Sequence, residues 1–239
     1  MSEFSIVIPT LNEAENIDFL LTRLFSLNLS PHSFEVIFVD DGSNDGTPEK
    51  IRVWQNRAKK ISLIERKDRP DLIASVLAGT ANANNNVIVV MDADLSHPAE
   101  RLPAIVSPIF DDKFDVVVGS RYVAGGSTAN WPLHRQLMSR MGCWLASPLC
   151  DVSDATSGFF AFRREFALTI SKKAQGYKIL FELLIANKGK LRVAEVPICF
   201  SNRIHGTSKL SFIHQRTYLQ RLVTLTGSAV IESRKRRDK

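Results

Sequence analysis

The chain has 239 residues, 44% of them apolar and 23% charged, a composition that suits a folded soluble protein with a full core and excludes a largely disordered one. A formal net charge of +6 admits an anionic partner, whether nucleic acid, a phosphorylated small molecule or an acidic membrane surface. The cysteines Cys143, Cys150 and Cys199 have neither paired spacing nor an even count, which argues against a disulfide framework or a zinc site and for reduced thiols in the cytoplasm.

Strand-like and helix-like runs alternate from the start. Phe4 to Pro9 reads as a strand, and Glu13 to Leu27 as a helix with Ile17, Leu20, Leu21 and Leu24 on one face, capped by Asn12 with Glu15 three residues on. Next come a strand from Phe34 to Asp40, a helix from Thr47-Pro48 to about Ala58, a strand from Ile61 to Glu65 and a helix from Leu72 to about Ala83. A strand from Val87 to Met91, a helix from Ala99 to Phe110 and a strand from Asp115 to Gly119 complete the regular part. Such alternation predicts an α/β fold with a mostly parallel central sheet flanked by helices. The second half is less regular: helical near Trp131 to Leu149, strand-like over Gly158 to Arg163, helical over Lys178 to Ala186, strand-like over Leu191 to Ile198, and helical from Leu210 to Ile231. With no linker or repeat in view, one domain is expected over 1–232, with halves at 1–120 and 121–232, followed by a basic tail at 233–239. No signal peptide is visible, and the apolar run at 222–231 falls short of the roughly 20 residues a membrane span requires.

Ligands of parallel sheets bind beyond the carboxyl ends of the strands. Here those ends carry Pro9-Thr-Leu-Asn-Glu13, Asp40-Asp-Gly-Ser43, Asp92-Ala-Asp94 and Gly119-Ser-Arg121. Asp92 and Asp94, two apart on an extended backbone, point to the same side, and such hard oxygen ligands suit Mg²⁺ or Mn²⁺; a polar strand end would look the same. Asp40 and Asp41 fit either turn chemistry or a carboxylate, Asp41 in preference, that accepts hydrogen bonds from a nucleobase or ribose.

Taken in order, Ile8-Pro-Thr-Leu-Asn-Glu13, Val39-Asp-Asp-Gly-Ser43 and Asp92-Ala-Asp94 resemble the inverting family-2 glycosyltransferases of the GT-A fold. Further stretches narrow this to the polyprenol-phosphate group, similar to dolichyl-phosphate mannosyltransferases: Asp92-Ala-Asp-Leu-Ser-His-Pro98, Gly119-Ser-Arg121, Trp131 with Arg135 and Ser139, Asp154-Ala-Thr-Ser-Gly-Phe159, Tyr177 to Glu182, and Val196-Pro197 running on to Arg203-Ile-His-Gly-Thr-Ser-Lys209. The resemblance implies transfer of a hexose, mannose from GDP-mannose in preference, to a polyprenyl or dolichyl phosphate at the cytosolic face of a membrane. Alternatives are transfer from UDP-glucose, or a non-catalytic nucleotide-binding module. It further implies metal ligation by Asp92, Asp94 and Ser96; donor binding by Pro9, Glu13, Asp40, Asp41 and Asp92; and an acceptor-phosphate grip by Arg121, Arg135, Ser139, Arg203 and Lys209. Of these, Asp94, Arg121, Arg135 and Arg203 are the candidate catalytic groups, with Asp154 and Glu182 as further candidates near the site.

A phosphate acceptor is mostly dianionic at neutral pH, its second pKa being about 6, so no protein base is required and Asp154 is expected to position an arginine or a sugar hydroxyl. His97 and His205 are expected to order their loops. The chain departs from the family's pattern at Ser96, where glutamine is common, and at Asp71 and Ile73, where glycines are usual. Nucleic acid is not an expected partner: no basic patch interleaved with aromatics is visible.

Overall fold

A computed structural model describes residues 2–128, 131–170, 174, 176–203 and 221. The predicted alternation is present: β1 (Ser2–Thr10), α1 (Ala14–Ser26), β2 (His32–Asp40), α2 (Thr47–Arg57), β3 (Ile61–Glu65), α3 (Leu72–Ala81), β4 (Val87–Val90), α4 (Leu102–Phe110) and β5 (Val116–Ser120). The helix expected from Ala99 begins instead as a 3₁₀ turn at Ala99–Arg101, since proline at 103 belongs in a helix's first turn. Then follow β6 (Ser127–Thr128), α5 (Leu133–Ala146), β7 (Phe160–Arg163), a 3₁₀ helix at Arg164–Thr169, α6 (Ile179–Ala186), β8 (Val193–Pro197) and β9 (Cys199–Phe200). The helix expected over 210–231, apart from Arg221, and the loop at 204–208, Lys209, His205 and the tail at 233–239 lie outside the described residues.

Seven strands form one sheet in the order β3-β2-β1-β4-β7-β5-β8, and β6 pairs with β9 in a separate two-stranded ribbon. All pairings in the large sheet are parallel except those of β7, which is antiparallel to both β4 and β5. The strands β4, β5 and β7 and the carboxyl-end halves of β1 and β2 are almost wholly buried, as strands covered on both faces must be. One face packs Ile6, Ile8, Phe38 and Val89 under α1, α2 and α4; the other packs Val7, Val39, Ile88 and Phe160 under α3 and α6. Gly79 lets α3 close on the sheet: a Cβ there would stand 2.4 Å from Val7 Cγ1 and 3.0 Å from Val39 Cγ2.

From β1 the chain steps outward through β2 and β3, then returns to lay β4 on the other side of β1. The order thus reverses between β1 and β4, and a crevice opens above their carboxyl ends. The register sets Thr10 level with Asp40, so the β1 and β2 loops rise from one edge. Because β7 runs the opposite way, the residues before it arrive at that edge: Phe160 pairs with Val90 and Val118 near the ends of β4 and β5.

The capping box expected at Asn12 and Glu15 is not formed. Asn12 adopts a left-handed conformation (φ 51°), and its Oδ1 accepts the amide of Asn44, 2.9 Å away in the β2 loop. Helix α1 is capped from outside instead: Asp45 Oδ2 accepts the amide of Ala14 (3.0 Å), while its Oδ1 accepts the amide (3.1 Å) and hydroxyl (2.6 Å) of Thr47 at the start of α2. Burial pushes the Asp45 carboxyl up, but these donors outweigh it and hold the group below its ordinary value.

Candidate active site

The loop after β4 is built around strain and a buried imidazole. Leu95, between Asp94 and Ser96, is a buried non-glycine residue at φ 63°, a conformation that costs about 1 kcal/mol or more and persists where the surroundings over-determine it. His97 provides part of that constraint. It stacks on Phe159 (5.3 Å between centroids), meets Phe200 edge-on (5.2 Å), and its Nδ1 accepts the Asp92 amide at 3.1 Å. That bond leaves the proton on Nε2, which faces Asp92 Oδ2 at 3.7 Å. Burial lowers the imidazole to about 4, so it is neutral near pH 7 and orders the loop as expected. Gly158 brings the strand before β7 against this loop; a Cβ there would lie 3.2 Å from both Asp92 Oδ2 and His97 Cε1.

The two carboxylates of the loop differ in their surroundings. Asp94 is buried; its Oδ1 accepts the Ser96 amide (3.1 Å) and its Oδ2 pairs with Arg203 Nε (2.9 Å). Asp92 stands at the rim, where desolvation, then the charge of Asp94, raise it to about 7 against the opposing pull of Arg203 and Lys178. A cation held between the two carboxylates would offset the repulsion that raises Asp92. Ser96 supplies a further oxygen: its Oγ is buried and has no hydrogen-bond partner among the described residues. This donor set of two carboxylates and a hydroxyl is all oxygen and fits Mg²⁺ or Mn²⁺, which keep further positions for water and phosphate.

The expected donor-side residues gather above β1 and β2. Pro9 lies in β1 level with Val39, and Glu13 opens α1, its Oε2 accepting Asn16 Nδ2 at 2.8 Å and its amide donating to Thr47 Oγ1 at 2.9 Å. Asp40 is occupied by its own turn: it accepts the hydroxyls of Thr10 (3.0 Å) and Ser43 (2.5 Å) and the amides of Gly42 (3.1 Å) and Ser43 (2.8 Å). Asp41 pairs with Arg66 and accepts the amide of Asp71 at 3.0 Å. Asp71, one of the departures from the family pattern, caps α3 through the Ala74 amide (2.9 Å) and ties it to the second half by accepting the Gly176 amide (2.8 Å). Ile73 donates its amide to Gly176 O at 3.2 Å and buries its side chain.

Opposite, three guanidinium groups converge. Arg121, just past β5, forks onto buried Asp154 through Nε (2.7 Å) and Nη2 (2.6 Å), with its amide also on Oδ2 (3.1 Å) and Nη2 on Thr156 Oγ1 (3.0 Å). Burial works against that charge, but the Asp154 pairing outweighs it and holds Arg121 above its ordinary value; for Asp154 burial raises and Arg121 lowers the carboxyl, and the net shift is downward. Asp154 is in turn fixed by its amide on Glu195 Oε1 (3.1 Å). The expectation that Asp154 positions an arginine matches this geometry. Arg135 lies over the ring of Trp131, 3.8 Å from its centroid, and burial, then Arg203, then Arg121 lower its pKa, the mark of three like charges brought close together. Ser139 Oγ accepts the Tyr122 hydroxyl at 2.7 Å. Glu182 stands apart in role: it forks onto Arg221 at 2.8 and 2.9 Å.

Several groups here were given no role in the sequence expectations, although Trp131 and Lys178 lie in the stretches that carried the resemblance. Phe200 and Trp131 wall the arginines, with Arg121 5.5 Å from the Trp131 centroid and 5.6 Å from that of Phe200. Lys178 donates to Thr156 O (3.4 Å), and burial lowers its pKa. A lysine directly before the apolar run Ile179–Ala186 is a sequence signal for a buried cation, and Arg66, next after the β3 end, follows the strand-end rule.

The sequence profile of glycosyl transferase family 2 matches residues 5–170. The chain belongs to that family. Family-2 relatives among characterised proteins include the dolichol-phosphate mannosyltransferase of Pyrococcus furiosus, 39% identical over 211 residues (86% of this chain), and that of Saccharomyces cerevisiae, 35% identical over 234 residues (93% of this chain). The chain spans 58% of the length of the former and 86% of the latter. Among solved structures, the mannosyltransferase PcManGT from Pyrobaculum calidifontis in complex with GDP-Man and Mn²⁺ superposes with a TM-score of 0.63 at 18% identity, covering 96% of this chain and 64% of that one. Glucosyl-3-phosphoglycerate synthase from Mycobacterium tuberculosis, in complex with UDP, superposes with a TM-score of 0.69 at 23% identity, covering 95% and 80%. The fold is therefore the GT-A fold expected of family 2.

Proposed function

We propose that this protein is an inverting glycosyltransferase that moves mannose from GDP-mannose to dolichyl or a related polyprenyl monophosphate. The observation that carries the reading is the convergence of Arg121, Arg135 and Arg203 beside the two-carboxylate loop of β4. A site for a neutral hydroxyl acceptor has no use for three converging guanidiniums, whereas a dianionic phosphate needs cationic donors and no base. The names of the relatives at 35 and 39% identity agree with that acceptor and with mannose as the sugar.

In this reading Asp92, Asp94 and Ser96 hold Mg²⁺ or Mn²⁺, which when bound neutralises charge on the departing diphosphate. The protein's own work is positional. The turn closed by Asp40 shapes the nucleotide pocket, Pro9, Glu13 and Asp41 line it, and Arg66 sets the attitude of Asp41. Arg121, immobilised by Asp154, and Arg135, laid on Trp131, hold the acceptor phosphate in line with the anomeric carbon, joined by Arg203 and Ser139. One phosphate oxygen attacks the anomeric carbon as the bond to the nucleoside diphosphate breaks, so an α-linked donor gives a β-linked product. Both halves of the chain contribute, and residues 1–232 act as one catalytic unit whose acceptor side lies against a membrane surface. Among the described residues no helix is long and apolar enough to cross a membrane.

The test is a donor panel. With dolichyl phosphate and Mn²⁺, GDP-mannose is expected to yield lipid-linked mannose while UDP-glucose and UDP-N-acetylglucosamine yield none; glucose transfer from UDP-glucose would replace the donor assignment.

A further inference from the structure

A serine in a helix commonly turns its hydroxyl back onto a carbonyl of the preceding turn. Ser26, at the end of α1, donates to Arg23 O at 2.8 Å, and Ser147, just past α5, donates to Trp144 O at 2.8 Å. Ser139 differs. Its Oγ accepts the Tyr122 hydroxyl at 2.7 Å, and among the described residues its own proton has no acceptor. Ser139 is half-buried and lies one turn from Arg135 on the same face of α5, beside the converging guanidiniums.

Tyr122 is well held as the donor of that bond. It follows Arg121 directly after β5, and its ring centroid lies 5.2 Å from Arg121 Cζ and 5.5 Å from Arg140 Cζ, so contacts from both β5 and α5 fix the ring. Burial pushes the phenol above its ordinary value of 10.0, against the pull of Arg121 and of the Ser139 bond, so the proton stays on the phenol oxygen across the neutral range.

A phosphate dianion offers lone pairs and no proton, so a hydroxyl that binds it must donate. A serine free to rotate can spend its proton on its own helix. One that already accepts from a phenol is set to give its proton away, and each bond in the series from phenol to hydroxyl to oxyanion polarises the next.

We infer that Tyr122 is a positioning residue: by donating to Ser139 Oγ it directs the serine proton to an oxygen of the bound phosphate. The inference rests on the reading of Ser139 as a ligand of the acceptor phosphate and adds the group that sets its direction.

The experiment is a double-substitution cycle on the full chain with Tyr122→Phe, Ser139→Ala and the two combined. Tyr122→Phe deletes one oxygen and keeps the ring beside both arginines. With GDP-mannose, Mn²⁺ and a short polyprenyl phosphate, Tyr122→Phe is expected to raise the acceptor KM about 3- to 10-fold and Ser139→Ala about 10-fold, with the GDP-mannose KM near the parent's. The combined variant should match Ser139→Ala alone. Calorimetric binding of inorganic phosphate to the same four proteins, without donor or metal, should follow the same order. An unchanged acceptor KM in Tyr122→Phe would overturn the inference and leave the acceptor reading intact. A full Tyr122→Phe effect on top of Ser139→Ala would also overturn it, by making Tyr122 act on its own, and so would equal rises in the donor and acceptor KM, the mark of a general loosening of the site. If the parent transfers to no polyprenyl phosphate, yet Tyr122→Phe weakens inorganic phosphate binding only while Ser139 is present, the positioning role stands and the lipid-acceptor reading falls. Neither transfer nor phosphate binding by the parent would overturn both.

Discussion

The two sides of the site are held in place by different means. Above β1 and β2 the carboxylates are satisfied within short loops: Asp40 by its own turn, Asp45 by the starts of α1 and α2. Opposite, the arginines draw their order from residues far along the chain: Arg121 from Asp154, Arg135 from the Trp131 ring, Arg203 from Asp94. The first arrangement spreads its stability over many local bonds and tolerates single losses. The second depends on a few buried charge pairs, in which one substitution leaves an uncompensated ion.

The largest effect on stability is therefore expected on the arginine side. Asp154→Asn removes the partner of buried Arg121 and is expected to cost about 3–5 kcal/mol in urea unfolding. A cost below about 1 kcal/mol would show that Arg121 finds solvent, contrary to its burial. Next, Arg135→Ala removes one cationic donor to the proposed acceptor phosphate and is expected to raise the acceptor KM about 10- to 100-fold, leaving the donor KM near the parent's. An equal rise in both would place Arg135 in the donor site.

On the other side Asp45→Ala uncaps two helices whose other contacts persist, and about 1–2 kcal/mol is expected from thermal unfolding. The sign of its pH dependence follows from its depressed pKa. The stabilisation is present above the ordinary carboxyl value of 3.8 and is lost as pH falls through the lower folded value. Asp92 lies between the two sides. With that carboxyl raised to about 7, cation and proton compete below neutrality, and apparent Mn²⁺ affinity by calorimetry should weaken by up to about tenfold per unit from pH 7 to pH 6. The carboxyl's own upward shift acts oppositely on the metal-free fold, which loses stability as pH rises from 3.8 toward 7.

The same contrast explains how much was legible in the sequence. The parallel strands of the first half announce themselves as apolar runs, so position alone marked Asp92, Asp94, Asp40 and Asp41 as candidates at the strand ends, while the family resemblance gave them their roles. The antiparallel β7 inverts that rule: Asp154, Thr156 and Gly158 reach the site because they precede a strand, and only family resemblance pointed to Asp154. The capping box at Asn12 failed because Asp45, distant in sequence, competes better for the Ala14 amide. Phe200 was silent because a two-residue ribbon, β6 with β9, carries too little pattern to be predicted, yet it sets the aromatic wall beside Arg121. The departure at Asp71 also reads differently in three dimensions, where that side chain fastens the start of α3 to Gly176.

The most direct measurement is formation of lipid-linked mannose from GDP-mannose and dolichyl phosphate by the parent and Asp94→Asn, with Mn²⁺ and with EDTA, alongside Mn²⁺ binding by each. The expected result is product from the parent alone and only with metal, the variant losing on the order of 10³-fold in rate together with its Mn²⁺ affinity. Product from the variant at the parent's rate, or from the parent in EDTA, would contradict the assignment of the β4 carboxylates as the cation site on which transfer depends.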